Sequence, residues 1–420
     1  MAHWGVTLLV MKRIERVRLY PNRRQQSALA RMLDITRQLY NAMLQQRRDA
    51  YRLRRVSVSA KMQYAELTVL RAEDRRIACV YRECEDAVLH RLDLAMQAFF
   101  RRVKGGEAPG FPRFKSRSRW AQLQFPHGDR ALKFDDRQTR VTIPGIGSVK
   151  LRKGRAVPAF KRAWIVARNG RWYACFECER APVQGPMDRR RVLGVDRGVH
   201  ALAATSDGRL HRNACALEKH RRRVEQLQRT VARRKRGGKQ RRKAVAALAR
   251  AHERVANARR DRAHKVARKI VDRAAVIAIE TLRLRAMTRS ARGTVEQPGR
   301  NVHAKAGLNR VVLDAGFGLL QQMIVAKAEE AGCAVVAVDA RYSSQTCSRC
   351  GHVAAESRRR RRFVCIACGF RVHADINAAL VIRGRAELPA RRERRGVGRP
   401  QRSPKVPDAG EKLARREVAA

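Results

Sequence analysis

The sequence predicts a multidomain α/β protein that carries a separate small β-barrel, and three observations predict it. Two continuous apolar runs, residues 192–195 and 274–279, each climb to a single acid, Asp196 and Glu280, as core strands of a parallel sheet do. Short alternating segments separated by Gly and Pro fill residues 108–186, the pattern of a small barrel. Two near-identical cysteine knuckles late in the chain mark a metal-stapled segment. At 420 residues the chain is also too long for one ordinary domain.

Taken in order, residues 12–20 alternate charged and apolar side chains and stop at Pro21-Asn22, which reads as one strand and a turn. From Gln25 the period changes to that of a helix: Leu29, Met32, Leu33, Tyr40 and Met43 mark one face, and Leu89, Leu92, Met96, Phe99 and Phe100 another. Residues 25–107 are therefore a helical insertion in a barrel made of 11–24 and 108–186. Its strands are expected near 123–125, 140–143, 148–151, 163–167 and 172–178. A basic loop with two aromatics, residues 110–117, precedes them, and residues 181–186 read as a linker. The second half opens with the run to Asp196, followed by a hairpin at Asp207-Gly208. Two basic helices broken at Gly237-Gly238 span 217–270. A second apolar run ends at Glu280, a helix covers 308–331 and a third buried strand covers 333–338. The α/β domain is thus 190–345 and 371–388, interrupted by the cysteine segment 346–370. The Arg/Pro/Gly-rich residues 389–420 read as a disordered basic tail.

The charge narrows the partners. Lys and Arg number 95 against 37 acids, a net charge of +58. Such an excess repels itself and calls for a polyanion, and nucleic acid is the expected one. A membrane surface is the weaker rival, because no long basic segment carries a Trp/Phe/Leu face. No uncharged apolar run approaches the ~18 residues of a membrane span, and the N-terminal run at residues 6–11 lacks the flanks of a signal peptide. Met11 is an alternative start. Among ten cysteines, six (Cys79, Cys84, Cys175, Cys178, Cys215, Cys333) show no disulfide framework, which fits a reducing cytoplasm. Cys175 and Cys178 form a C-x2-C, but inside a strand pattern rather than a knuckle.

Cys347, Cys350, Cys365 and Cys368 are different. Each pair is separated by two residues and followed by glycine, which permits the tight turn that aims two thiolates at one ion. Four thiolates make a closed tetrahedral shell, the structural kind of zinc site. The loop between the pairs holds Arg358 to Arg362, which reads equally well as a phosphate-facing run or a solvated tip.

Three acids stand where buried structure begins or ends. Each has an innocent reading: Asp196 in a turn, Glu280 as a solvated strand end, Asp375 as a helix N-cap. Together they form the series strand-Asp, hairpin, strand-Glu, helix-Asp, the order of acids in RNase H-like nucleases. There, carboxylates hold two Mg²⁺ roughly 3.5–4 Å apart for phosphodiester hydrolysis, and oxygen donors suit Mg²⁺.

With these residues in place the chain resembles the TnpB family of RNA-guided nucleases of bacterial insertion sequences, relatives of type V CRISPR effectors. The resemblance covers about residues 12–388. It rests on Arg18-Leu19-Tyr20-Pro21, Gly110-Phe111-Pro112-Arg113-Phe114-Lys115, Gly194-Val195-Asp196-Arg197-Gly198, Ala278-Ile279-Glu280, Ala306-Gly307-Leu308-Asn309-Arg310, Tyr342-Ser343-Ser344-Gln345-Thr346-Cys347 and Ala374-Asp375-Ile376-Asn377-Ala378-Ala379. It implies a RuvC-type nuclease domain with catalytic Asp196, Glu280 and Asp375 holding magnesium, and a zinc ribbon. It also implies a wedge-like barrel with a recognition-type helical insertion, which holds a guide RNA derived from the transposon end and reads a short motif beside the double-stranded DNA target. Thr281 departs from the acidic residue or Asn that the family often has there. Arg113, Lys115, Arg233, Arg234 and Arg236 are candidate nucleic-acid contacts. The expected place is the bacterial cytoplasm, with nucleoid association when DNA is bound. Two other readings compete: a non-cleaving regulator of transposition or transcription, and a guide-independent structure-specific nuclease.

Overall fold

Strand β1 (Met11–Tyr20) passes into helix α1 (Arg23–Arg54) through a capped turn. Asn22 Oδ1 accepts from the Gln25 amide at 2.9 Å, and Gln25 Oε1 accepts from the Asn22 amide at 3.0 Å. This reciprocal box satisfies two amides that a helix start leaves free. The computed structural model describes residues 11–152, 154, 156–180 and 191–395. The choice of start codon, the linker at 181–186 and the tail from 396 lie outside the described residues.

After α1 come α2 (Ala60–Glu73), a short α3 (Arg75–Ala78) and α4 (Arg82–Lys104). Then follow β2 (Gln122–Phe125), a short α5 (Gly128–Ala131), β3 (Lys133–Phe134), β4 (Arg140–Ile143), β5 (Gly147–Leu151), β6 (Phe160–Arg168) and β7 (Arg171–Arg180). The strands form one seven-stranded sheet in the order β2-β6-β7-β1-β5-β4-β3, with every pairing antiparallel. β1 therefore joins the sheet from across the helical insertion. β2 and β3 are its two edges, so among the described residues the strands pair as an open ladder, where a small barrel was expected. Helices and sheet share a single apolar cluster that includes Leu29, Tyr40, Leu89 and Leu92 from the helices and Leu123, Phe125, Val141 and Phe176 from the sheet. Trp120 Nε1 donates to Thr36 Oγ1 at 3.0 Å inside it.

The chain divides into two units, and the first also contains residues 216–258. The expected boundary placed them with the second half. Helices α6 (Ala216–Arg233) and α7 (Lys239–Val271) pair through Val224, Leu227 and Ala251. Glu253 of α7 lies 3.5 Å from the Tyr173 hydroxyl and 3.8 Å from Arg171 Nη1, both on β7.

The second unit is built on β8 (Val192–Asp196), β9 (Ala201–Thr205), β10 (Leu210–Arg212), β11 (Val276–Glu280) and β12 (Ala334–Val338). Their order is β10-β9-β8-β11-β12. β8, β11 and β12 are parallel; β9 and β10 return antiparallel through the Asp207-Gly208 hairpin. β12 was expected to be buried, but as an edge strand it leaves Ala334 and Ala337 exposed. After a short α8 (Leu284–Met287), the single helix expected over 308–331 is two, α9 (Val302–Ala315) and α10 (Phe317–Glu330). Gly316 between them takes the left-handed conformation, φ 72°, that glycine adopts without strain. By length and composition alone, the stretch Val302–Glu330 is apolar enough to cross a membrane. Val312, Phe317, Leu320, Ile324 and Ala328 within it are buried in the fold.

A three-stranded sheet, β13 (Arg358–Arg359), β14 (Arg362–Val364) and β15 (Arg371–His373), carries the cysteine knuckles. β15 pairs with β14, so the ribbon extends three residues past the expected boundary at 370. The last helix, α11 (Ala374–Arg395), packs against β8, β9, β11 and β12. Residues 389–395, expected to open a disordered tail, form its end instead. Their Ala, Glu and Arg are strong helix formers.

Candidate active site and metal centre

Two parallel neighbours that start together also end together. β8 and β11 pair Val195 with Ile279, which leaves Asp196 and Glu280 side by side at the same end of the sheet. The innocent reading of Glu280 fails, because it is 6 % exposed. The amide of Arg197 approaches Glu280 Oε1 at 3.4 Å. The buried Arg197 guanidinium donates to the Glu280 carbonyl and, at 2.8 Å, to Gln321 Oε1. Its Nε stands 4.0 Å from Glu280 Oε1 and has no hydrogen-bond partner among the described residues.

Asp375 arrives from the other direction, on the first turn of α11. It does not act as a helix cap: the His373 ring, through Nδ1, accepts from the Asp375 amide at 3.3 Å. The carboxylate is left free and meets Arg358 Nη2 at 3.1 Å. Two glycines allow this approach. A Cβ at Gly194 would stand 2.0 Å from the Ala379 carbonyl oxygen, so α11 lies flush on β8 there. A Cβ at Gly198 would stand 3.9 Å from Asp375 Oδ2, which places the turn after β8 beside that acid.

The electrostatics agree with this convergence. Burial first, then the charges of Glu280 and Asp375, against the pull of Arg358 and Arg197, push the Asp196 carboxyl up to about 7. Burial also raises Glu280, against the pull of Arg197. Like charges gathered with too few cations are relieved by a divalent ion. Asp375 opens onto a cleft of about 620 Å³ lined also by His200, Arg212, Asn213, Arg361 and His373. The three carboxylates do not draw within 4.8 Å of one another as the four cysteine sulfurs do. A pair of ions, bridged rather than caged, needs no such crowding.

The cysteines form the tighter cluster. Cys347 and Cys368 sulfurs are 3.7 Å apart, and Cys350 and Cys365 sulfurs 3.6 Å. Thiolates at about 2.3 Å from one tetrahedral ion stand about 3.8 Å apart, so the donor set fits. Gly351 and Gly369 sit at φ 78° and 69°, and their amides close the knuckles onto the carbonyls of Cys347 and Cys365 at 3.0 Å. The backbone amide of Cys368 holds the Cys365 thiol below its usual range, toward the thiolate a metal needs. Cys175 and Cys178 lie on β7 outside any such group among the described residues.

Of the candidate contacts, Arg113, Arg233, Arg234 and Arg236 are exposed. Lys115 is only half-exposed. Its backbone exchanges hydrogen bonds with the Asn41 side chain at 2.8 and 3.0 Å, and its ammonium lies 5.5 Å from the centre of the Tyr40 ring. Burial holds its pKa below the usual lysine range. Thr281 is exposed, and its amide donates to the Val338 carbonyl at 2.9 Å. The sequence reading did not single out Arg197, although its place directly after a strand-end acid was a signal. Arg358 was hidden in a run of five arginines, where nothing local distinguishes one from the next.

Comparison with known proteins completes the picture. Family profiles described as "Helix-turn-helix domain", "Probable transposase" and "Cas12f1-like, TNB domain" match residues 11–55, 175–291 and 317–382. The first falls on β1 and α1. The chain is 34 % identical over 293 residues to the putative RNA-guided DNA endonuclease InsQ of Escherichia coli K12, covering 69 % of this chain and 71 % of that protein. The chain belongs to the TnpB family. This TnpB chain is also 27 % identical over 378 residues to a putative RNA-guided DNA endonuclease of Streptomyces pristinaespiralis, 88 % of each. Its fold is similar to that of a chain in the cryo-EM structure of the Cas12f1–sgRNA–target DNA complex, with TM-score 0.52 and 12 % identity over 89 % of this chain and 98 % of that one.

Proposed function

We propose that this TnpB protein is an RNA-guided DNA endonuclease of a transposable element, cutting at an Asp196, Glu280 and Asp375 centre in an RNase H-like, RuvC-type domain. The observation that carries the catalytic part is the meeting of two parallel strand ends and one helix start at three carboxylates, in a chain of net charge +58. Asp196, Glu280 and Asp375 would hold two Mg²⁺, which when bound supply the charge that activates the attacking water and stabilises the leaving oxygen. The protein's own part is positional. Parallel pairing holds Asp196 beside Glu280, Arg197 anchors Glu280, Gly194 lets α11 bring Asp375 in, and the buried floor keeps the acids poorly solvated. A structural zinc at Cys347, Cys350, Cys365 and Cys368 would hold the ribbon.

The segments 11–24 and 108–186, with the helical insertion 25–107, hold a guide RNA from the transposon end and read the motif beside the target, in the cytoplasm. Base pairing then selects the sequence while the basic protein reads backbone and shape.

The test is to sequence the RNA that co-purifies with the protein and to offer DNA matched to it. The expected result is cutting that needs Mg²⁺, is lost on RNase treatment, and disappears in Asp196→Ala while RNA is retained. Cutting that survives RNase points to a structure-specific nuclease. DNA occupancy without cleavage at any Mg²⁺ level points to a non-cleaving regulator.

A further inference from the structure

Five consecutive arginines, Arg358 to Arg362, cross the hairpin between β13 and β14. Four are exposed; Arg358 is half-buried. Arg358 faces the buried Phe363 across the β13–β14 pair, and its neighbour Ser357 accepts through Oγ from the Ile366 amide inside the second knuckle at 3.4 Å. The cysteine cluster thus fixes the backbone of Arg358, and the side chain reaches out to Asp375 at 3.1 Å. Its charge also acts on Asp196.

The two arginines at the acid centre are held differently. Arg197 is 4 % exposed and is bonded to the Glu280 carbonyl and to Gln321, so it is locked in the floor. The Arg358 side chain is 33 % exposed, and its guanidinium has one hydrogen-bond partner described, the Asp375 carboxylate. A divalent cation at Asp375 competes for that carboxylate.

We infer that Arg358 is the removable counter-ion of the acid centre: it occupies Asp375 when no divalent cation is bound, is displaced when one binds, and then faces the phosphodiester. This rests on the reading of Asp375 as a metal ligand. It also gives the ribbon a task beyond folding, because the thiolate cluster sets where this arginine stands.

The experiment measures Mn²⁺ binding to the full-length, nucleic-acid-free protein by the EPR signal of the free ion, with zinc content checked by elemental analysis. Removing the competitor in Arg358→Gln should tighten Mn²⁺ binding roughly fivefold, the upper end for a partly exposed ion pair. Arg358→Lys, which keeps the charge, should stay near the parent, and Asp375→Asn should weaken binding. If Arg358→Gln loses zinc, Arg358→Met, which keeps an apolar stem, takes its place. Unchanged affinity in the Arg358 variant beside weakened affinity in Asp375→Asn overturns the counter-ion role. Unchanged affinity in Asp375→Asn itself overturns the metal-ligand reading beneath it.

Discussion

The thiolate cluster and the carboxylate cluster lie in the same unit and are opposites in construction. The four cysteines come from two knuckles close in sequence, and every sulfur faces its partners within 4.8 Å. The three acids come from two strands and a helix far apart in the chain, stand further from one another, and keep arginines among them. A closed shell spends every ligand on holding the fold. An open set of buried acids leaves charge unbalanced, and that imbalance is what can act on a phosphate. Local spacing builds the first; sheet topology builds the second.

The largest test of this contrast is Asp196→Ala. Losing a ligand of the open centre should cut DNA cleavage on the order of 10³-fold, what about 4 kcal/mol of lost charge stabilisation implies, while the thermal unfolding curve hardly moves. A large loss of stability without loss of cutting would break the comparison. Cys365→Ser should do the reverse to structure. Structural zinc supplies folding free energy outright, so hydrogen exchange should show residues 346–373 unprotected while β8 and β11 stay protected. A ribbon that stays protected would mean the shell is not what holds it. Gly194→Ala is next: a methyl 2.0 Å from the Ala379 carbonyl oxygen must lift α11, costing about 1–3 kcal/mol in thermal stability and moving Asp375 out of register, so cutting falls too.

The smallest effect sharpens the comparison from outside the site. Asp34 in α1 is an acid already supplied with cations: hydrogen bonds from Arg117, Arg37 and Gln38 hold it down at about 2 from 3.8. A depressed folded-state pKa stabilises the fold above the unfolded value and loses that contribution as pH falls through the folded one. Asp34→Asn should therefore lower the melting temperature slightly near neutral pH, and the gap to the parent should close between pH 3.8 and 2.

Much of this was legible beforehand because it depends on short-range pattern. The turn at Pro21-Asn22, the hairpin at Asp207-Gly208 and the knuckles at Cys347 and Cys365 each follow from a few adjacent residues. The strand ends at Asp196 and Glu280 were readable because a buried parallel strand is a continuous apolar run. What failed depended on packing. Nothing in residues 334–338 says that β12 is an edge, and helical periodicity does not show Gly316 splitting one helix into two. The sequence placed α6 and α7 by proximity in the chain, whereas Glu253 ties α7 to β7. The Arg358–Asp375 pair could not be foreseen, since one arginine in five is chosen only by the register of β13 against β14.

The first two turns of α11 carry a further consequence. Asn377, fully buried, accepts from the Ser348 amide at 3.0 Å and donates to the Thr346 carbonyl at 2.7 Å, clasping the first knuckle. Two positions earlier the same helix presents Asp375, and the Ala374 amide donates to the Arg361 carbonyl at 2.8 Å. The ribbon is therefore not an interchangeable cassette. A chimera that imports a relative's cysteine segment and joins it at residue 373 would graft a foreign knuckle onto a native clasp. Transplants should succeed when the splice falls beyond Asn377, so that the borrowed segment brings its own fastening.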